Sequence, residues 1–296
     1  TALDVTEGSA AIVIAIVDSG VNPDHPEFAG RLVAGYDYVN LDADPRDDYG
    51  HGTHVAGIAA AGLNGIGGVG ICPQCKIMPV KVLDSHNGGK WSFVAKGILF
   101  AVDNGARVIN LSLGATISSP TLQSAIDYAD AHNVVVVAAA GNMASEIPFY
   151  PAAIPSVIAV SGTDRSDNHW PQSNYGGFVD VAAPAVSIYS SYHDLVNSTG
   201  YAYMSGTSMA SPFVAGLAGL VLSRQPKLKP AQVLDLIAGN AVDLGPAGFD
   251  KEFGYGRIDA YATMVAANGG KAPEPKTPPA GAVSPKLYLP NIRVKR

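Results

Sequence analysis

Short, continuous apolar runs recur along the chain and are separated by segments in which apolar residues follow a helical spacing. The first run, residues 11–18, is rich in β-branched side chains, is too short for an independent helix and ends at Ser19-Gly20. Such a run is typical of a strand that is buried on both faces, as in a parallel sheet. The same pattern predicts further strands at residues 76–83, 106–113, 134–140, 156–160 and 179–183.

Segments of helical spacing lie between and after these strands. They predict helices at residues 51–61, 92–104 and 122–132, a buried helix that begins at about Ser208, and helices at residues 230–238 and 258–267. Alternating strands and helices predict an α/β fold with a mostly parallel central sheet and helices on both faces. Functional sites in such sheets lie at the carboxyl ends of the strands, where the sequence places Asp18 and Asn142.

Composition supports one domain with a large interior, because 47% of the residues are hydrophobic and only 15% are charged. Beyond Asn268 the sequence becomes rich in proline, which predicts a folded domain over residues 1–268 and a linker with an extended tail over residues 269–296. The net charge of -6 argues against a nucleic-acid partner. No apolar run reaches the roughly 20 residues that cross a bilayer, so no membrane partner is expected. Residues 1–8 lack the features of a signal peptide, so if the protein is exported, its targeting segment has already been removed.

Two cysteines occur, Cys72 and Cys75, in the sequence Cys-Pro-Gln-Cys. A zinc site would need two more ligands at a matching spacing, and a redox motif would need a strand before it and a helix after it. The residues that follow predict a strand instead. A small structural disulfide or a plain thiol pair is therefore favoured over a metal or redox role, and the residues alone do not choose between those two.

Ser208 begins an apolar helix after the small residues Gly206 and Thr207. The N-terminus of a helix exposes unpaired N–H groups and favours negative charge, so a serine at this position can act as a nucleophile. A serine there is more often a simple helix cap. The choice depends on whether a base, a carboxylate and an oxyanion donor accompany it.

Two of these groups have candidates elsewhere in the chain. Asp18 ends an apolar strand, where a buried charge needs a partner such as a histidine, although an aspartate before Ser-Gly also suits a turn. His51 and His54 open a predicted helix, but they lack the i, i+4 spacing and the glutamate of a zinc-binding helix. Each histidine taken alone is more often a surface or core residue than a general base.

The chain order Asp18, His51, Ser208 is that of subtilisin, and no Gly-x-Ser-x-Gly motif of a lipase or esterase occurs. Three motifs contain these residues: Val-Asp-Ser-Gly at 17–20, His-Gly-Thr-His-Val-Ala-Gly at 51–57 and Gly-Thr-Ser-Met-Ala-Ser-Pro at 206–212. On these motifs the chain, from about residue 3 to residue 267, resembles the subtilases, the subtilisin-like serine proteases, and is most similar to their thermitase-like branch. The resemblance implies Ser208 as the nucleophile, His51 as the general base and Asp18 as the group that orients the imidazole.

The resemblance also implies an oxyanion donor and a peptide-binding cleft. Asn142 would donate to the oxyanion together with the backbone N–H of Ser208, although Gly-Asn also suits a simple turn. A substrate would add as a strand between residues 89–91 and 112–114. The implied substrate-binding residues are Gly89, Lys90, Trp91, Ser112, Leu113, Gly114, Ala139, Ala140 and Gly141. Core packing would explain Trp91 and Leu113 equally well.

Phe149 departs from the family pattern. It precedes Tyr150-Pro151 and corresponds to the floor of the pocket for the side chain before the scissile bond, a position that is often small in relatives. The sequence therefore predicts a shallow pocket that favours apolar side chains of medium size.

Structural Ca²⁺ is the cofactor that the resemblance implies. Asp37, Asn40, Asp42 and Asp44 present oxygen ligands at alternating spacing, as a hard cation requires, although a solvated acidic loop would look the same. A second family site is matched in part by Glu27, Gly62, Asn64, Ile66 and Gly68. Relatives supply a further ligand there from a longer N-terminal arm, so that site is expected to be incomplete or the sequence truncated. Asp180 could mark a third, weak site.

These observations predict a secreted serine endopeptidase that acts on polypeptides through an acyl-enzyme. A prodomain is expected to assist its maturation, and the protein is expected to be a monomer. Two alternatives remain open: a catalytically silent subtilase-like binding module, and an acyl hydrolase whose substrates are not peptides.

Overall fold

Seven strands form the central sheet of the protein, whose computed structural model describes residues 1–193 and 199–270. In chain order they are β1 (Val13–Asp18), β2 (Tyr36–Asp37), β3 (Lys76–Lys81), β4 (Val108–Leu111), β5 (Val135–Ala139), β6 (Val157–Thr163) and β7 (Val181–Pro184). They are arranged as β2-β3-β1-β4-β5-β6-β7, and every neighbouring pair is parallel. The predicted parallel sheet is confirmed.

Helices cover both faces of this sheet. They are α1 (Ala2–Val5), α2 (His51–Ala60), α3 (Trp91–Asp103), α4 (Pro120–Ala131), α5 (Thr207–Arg224), α6 (Pro230–Ala238) and α7 (Ala260–Ala267). Along β1, Ile14 and Ile16 join the core beneath α2 and α5, whereas Ala15 and Val17 join the core beneath α3 and α4. Because β1 is buried on both faces, its sequence is apolar at successive positions. The predicted three-layer α/β sandwich is confirmed.

Helix α5 is buried along most of its length, and it packs closely against α2. A side chain at Gly216 would collide with Ile71 and with the carbonyl of Ala59 in α2. The glycine therefore allows the two helix backbones to approach. This contact joins the helix that begins at His51 to the helix that carries Ser208.

A two-stranded antiparallel hairpin, β8 (Ile188–Tyr192) and β9 (Gly200–Met204), was not predicted from the sequence. It packs on α2 through side-chain hydrogen bonds. Ser190 Oγ donates to the carbonyl of His54 (2.8 Å), and Ser191 Oγ donates to that of Thr53 (2.9 Å). His54 Nε2 lies 3.1 Å from the carbonyls of both Ile188 and Ala202, so it carries the proton and bonds both strands.

Cys72 and Cys75 form a disulfide, the first of the two favoured interpretations. Both residues are fully buried between Gly8 of the N-terminal arm and Gly219 of α5. Among residues 1–193 and 199–270, no helix is both long and apolar enough to cross a membrane. Helix α7 ends at Ala267, and the predicted linker and tail lie outside the described residues from position 271 onward.

Candidate active site

Asp18 and His51 form a buried pair at the carboxyl end of β1. Asp18 is fully buried, and its Oδ1 accepts hydrogen bonds from His51 Nδ1 and from the backbone N–H of Ser19, both 2.7 Å long. Because the carboxylate oxygen can only accept, Nδ1 carries the proton and Nε2 of a neutral His51 has a free lone pair. Burial lowers the pKa of His51, but the charge and hydrogen bond of Asp18, with the charge of Asp47, outweigh it and raise that pKa.

Ser208 lies at the same edge of the sheet, as the second residue of α5. Its hydroxyl donates to the carbonyl of Ser112 (3.2 Å), and Ser112 Oγ donates to the carbonyl of Ser208 (2.7 Å). Strand β4 pairs with β1 so that Asn110 is opposite Ile16, and Ser112 therefore extends to the level of Asp18. In the part of the chain that the structure describes, the Ser208 hydroxyl bonds Ser112 and not the His51 ring.

A buried chain of hydrogen bonds continues from Ser112 into the core. Asn110 Nδ2 donates to Ser112 Oγ (2.9 Å), and Ser211 Oγ donates to Asn110 Oδ1 (2.7 Å). These contacts join the first turn of α5 to the end of β4 and set the position of Ser208 relative to the sheet. Asn110 and Ser211 were not predicted as site residues.

Asn142 lies beside the N-terminus of α5. Its Oδ1 accepts from both the backbone N–H and the hydroxyl of Thr207, each at 2.8 Å, and Thr207 Oγ1 accepts from the N–H of Gly141 at 3.0 Å. A backbone N–H can only donate, so the amide oxygen faces Thr207 and the NH₂ group is directed elsewhere. Thr207 therefore orients the carboxamide, a role that the sequence did not indicate.

The predicted cleft residues lie at the end of β5, in loops at this edge of the sheet and at the start of α3. Trp91 begins α3, and its indole N–H donates to the carbonyl of Ile117 (3.1 Å). The Phe149 ring packs against Gly114 and Gly141, since a side chain at either glycine would collide with it. Phe149 thus lies between two segments predicted to bind substrate, residues 112–114 and residues 139–141. The other predicted cleft residues are Gly89, Lys90, Ser112, Leu113, Ala139 and Ala140.

The loop of residues 37–44 has the oxygen ligands that a hard cation prefers. Asp37 is buried, and its carboxylate accepts from the N–H groups of Val39 (2.6 Å) and Asn40 (2.9 Å) and from Asn40 Nδ2 (2.9 Å). A bridge pairs Asp37 with Asp42, whose Oδ1 accepts from the N–H of Asp44 (2.9 Å). Within the described ranges, no group of three or more acidic, histidine or cysteine side chains converges as a metal site.

The predicted site at Glu27 fits a cation less well. Its carboxylate accepts from Tyr201 Oη (2.9 Å), the N–H of Gly68 (3.1 Å) and Asn64 Nδ2 (3.1 Å), while Asn64 Oδ1 accepts from the N–H of Ile66 (3.1 Å). Donor groups therefore occupy this carboxylate, as they also occupy that of Asp37. Burial raises the pKa of Glu27, and these hydrogen bonds oppose the shift.

Two other residues near Glu27 bear on the same question. The N–H of Gly62 donates to the backbone carbonyl of Glu27 (3.1 Å). The guanidinium of Arg31 lies nearby, donates to the carbonyl of Cys75 (2.9 Å) and attracts the Glu27 charge. With this cation beside it, the Glu27 pocket is a poorer site for Ca²⁺ than the Asp37 loop.

At the third suggested position, burial raises the pKa of Asp180 to about 6.

The parallel α/β core and the comparisons with known proteins identify a serine endopeptidase. The profile of the Subtilase family, Peptidase S8, matches residues 9–256, and the chain belongs to this family. The resemblance inferred from the three motifs is thereby confirmed.

Named relatives and solved structures agree. The chain is 46% identical to thermitase of Thermoactinomyces vulgaris, over 89% of this chain and 91% of that protein. It is 45% identical to the thermophilic serine proteinase of Bacillus sp. (strain AK1), over 89% of this chain and 64% of that protein. Among structures, fervidolysin of Fervidobacterium pennivorans matches with a TM-score of 0.81 and 34% identity, over 89% of this chain and 44% of that one. A lanthipeptide protease matches with a TM-score of 0.80 and 29% identity, over 89% and 90%.

The buried His54 predicts a loss of stability in mild acid. Burial lowers the pKa of His54 from 6.5 to about 4, so the unfolded chain binds the proton more tightly than the folded chain. The contribution of neutral His54 to the free energy of unfolding is fully present above pH 6.5 and is lost as the pH falls toward 4. The loss amounts to roughly 3 kcal/mol at most.

Unfolding free energies at pH 7 and pH 4.5 would measure this effect, with a Ser208→Ala background to prevent self-digestion. His54→Gln keeps an N–H donor but cannot titrate, so its stability should depend less on pH. His25 and His169 also have pKa values lowered by burial. Only the difference between the two proteins isolates His54, and equal pH slopes would contradict the assignment.

Proposed function

We propose that the chain is a secreted serine endopeptidase in which Ser208, His51 and Asp18 form the catalytic triad. The observation that supports this most is the hydrogen bond from His51 Nδ1 to the buried Asp18 carboxylate. It leaves Nε2 as the base and stabilises the imidazolium that forms when a proton arrives. For this role the Ser208 hydroxyl turns from the Ser112 carbonyl toward His51.

The reaction proceeds in two displacements. The Ser208 Oγ–H proton passes to His51 Nε2 as Oγ bonds the peptide carbonyl carbon, and the C–N bond then breaks as His51 returns that proton to the leaving amine. Water repeats the sequence on the acyl-enzyme and releases the acid. Asp18 remains a carboxylate throughout.

Asn142 and the N–H of Ser208 are the proposed oxyanion donors. As the second residue of α5, Ser208 has no acceptor for its N–H within the helix. Thr207 holds the oxygen of the Asn142 carboxamide, and this leaves the NH₂ group available to the developing charge. Both groups are held before substrate arrives, so no reorganisation is needed in the transition state.

Secretion and calcium binding belong to the same proposal. The Cys72–Cys75 disulfide suits an oxidising compartment. One relative, 40% identical over 85% of this chain and 38% of its own length, is the minor extracellular protease Epr of Bacillus subtilis (strain 168). The residues proposed to hold Ca²⁺ are Asp37, Asn40, Asp42 and Asp44, where it would stabilise the loop. A prodomain, a monomeric state and polypeptide substrates follow from the family resemblance.

Ser208→Ala should abolish casein hydrolysis, and a serine-directed phosphonylating reagent should label the unmodified chain at Ser208. Asn142→Ala should lower kcat by about 10² to 10³ with little change in KM, because the donor acts on the transition state alone; this magnitude is one already measured on a subtilisin.

The two alternatives give different results. A folded chain that is not labelled at Ser208 would be the silent binding module, which the Ser208–Ser112 hydrogen bond would then explain. Cleavage of simple esters without any peptide cleavage would instead identify an acyl hydrolase.

Phe149 should restrict the pocket for the residue before the scissile bond. With Phe149 between Gly114 and Gly141, we expect Leu, Met and Ala to be preferred there over Phe and Tyr. Phe149→Ala should raise kcat/KM for Phe relative to Leu by at least about 10-fold. A panel of peptides that differ at this residue measures the ratio.

A matched control is Phe249→Ala, because Phe249 is exposed and packs against Tyr255. It should leave the ratio unchanged. A wild-type preference for Phe and Tyr would show that Phe149 does not limit the pocket.

Calcium should raise the melting temperature, and EDTA should lower it, by on the order of 5 °C. Asp42→Asn should reduce this response, while Glu27→Gln should leave it nearly unchanged. Asp24→Asn, which removes the same charge from an exposed residue, is the control. Loss of the response in Glu27→Gln alone would place the cation at Glu27 instead.

A further inference from the structure

Asp47 is a buried carboxylate that the proposed reaction does not use. It lies in the loop before α2 and is only 1% exposed. A buried charge needs hydrogen-bonding partners, and Asp47 has five within the protein. The donors are Ser19 Oγ (2.9 Å), Tyr49 N (3.0 Å), Gly50 N (2.8 Å), Thr53 N (2.9 Å) and Thr53 Oγ1 (2.5 Å).

These donors lie on both sides of the proposed base and its carboxylate partner. Tyr49 and Gly50 directly precede His51, and Thr53 lies in the first turn of the same helix. Ser19 directly follows Asp18. One carboxylate therefore joins the chain next to Asp18 to the chain that surrounds His51.

The start of α2 depends on these contacts because it has no ordinary cap. Gly50 occupies the cap position with φ 104° and has no side chain, and an added side chain there would collide with the carbonyl of His193. The N–H groups of the first turn have no acceptor within the helix, and they donate instead to residues outside it. Asp47 accepts from Thr53, and Ser19 Oγ accepts from Gly52 (2.9 Å).

The neighbouring cation does not neutralise Asp47. Lys81 of β3 is buried and donates to Asp48 (2.5 Å) and to the carbonyls of Ser19 (2.9 Å) and Leu83 (2.8 Å). The charged groups that act on His51 are Asp18 from β1 and Asp47 from the loop. His54, on the same helix, can titrate, but burial keeps it neutral at pH 7. Asp47 thus adds a second negative charge near the imidazole.

We propose that Asp47 is a positioning residue for His51: it holds the Tyr49–Gly50 turn and the first turn of α2 against Ser19, so that the imidazole meets Asp18. Its charge also helps to stabilise the imidazolium. This proposal rests on the proposed role of His51 as the general base.

Asp47→Asn tests it. The amide would remove the charge and place an NH₂ group among N–H donors. We expect kcat to fall about 10- to 100-fold with KM changed less than about twofold. The acid limb of the kcat/KM profile should move to lower pH, since loss of a nearby negative charge lowers the pKa of His51. Rates are normalised to the sites that a phosphonylating reagent titrates, so that misfolded protein is not counted.

Asp24→Asn also removes one negative charge, but from an exposed residue. It should alter neither kcat nor the acid limb of the kcat/KM profile. An Asp47→Asn enzyme with wild-type kcat, or one with a lower kcat and an unmoved acid limb, would overturn the proposal. If the wild-type chain itself cleaves no peptide, the failure lies with the proposed function instead.

A second pair of variants applies if Asp47→Asn does not fold. Thr53→Val removes the hydroxyl, which donates to Asp47 and also accepts from the N–H of Asn22 (3.0 Å), while Thr53→Ser keeps both contacts. We expect kcat per titrated site to be lower in Thr53→Val than in Thr53→Ser. Equal values would overturn the proposal.

Discussion

The burial of the Asp18 carboxylate at the end of β1 is the constraint on which the site depends. A charge in an apolar sheet is costly unless hydrogen-bonded groups surround it. The N–H groups of His51 and Ser19 both donate to Oδ1, whereas the buried Oδ2 has no hydrogen-bond partner among the described residues. The imidazole therefore approaches from outside the sheet, where the start of α2 holds it. The same contact stabilises the buried charge in part and orients the proposed base.

The remaining site geometry follows from close contact between secondary-structure elements. Glycine at position 216 lets α5 approach α2. The hydrogen bonds that link Ser211 to Asn110, Asn110 to Ser112 and Ser112 to Ser208 fix α5 on β4. Serines of β8 bond carbonyls of α2 from its other side. Parallel strands place their ends at one edge, and polar contacts between elements then set the positions of the side chains there.

The sequence predicted the elements whose burial is uniform or follows a helical spacing. Strand β1 and its neighbours are covered on both faces, so they appear as continuous apolar runs, and α6 was predicted with its observed bounds, Pro230–Ala238. Hairpin strand β8 was missed because its buried residues include Ser190 and Ser191, which are polar. Hydrogen bonds to carbonyls far away in the chain stabilise these buried serines. The spacing of apolar residues in the sequence does not indicate such partners.

The same reason explains which proposed site residues the sequence indicated. Asp18, His51, Ser208 and Asn142 lie in short local motifs, and Phe149 differs from the family pattern at one position. Thr207 and Asp47 are singled out only by their contacts with residues far away in the chain. Asp47 stands in a run that resembles a solvated acidic loop, and only the fold shows that its carboxylate is buried.

The burial of α5 along most of its length has a consequence for how the protein would lose its shape. A helix that is packed on nearly every side does not unfold locally. It unfolds only when the whole domain unfolds. Ser208 is anchored to that most persistent unit, whereas the surrounding loops can fluctuate. Heating should therefore loosen the proposed substrate-binding loops first. The Ser208 hydroxyl should stay in place until the whole core unfolds.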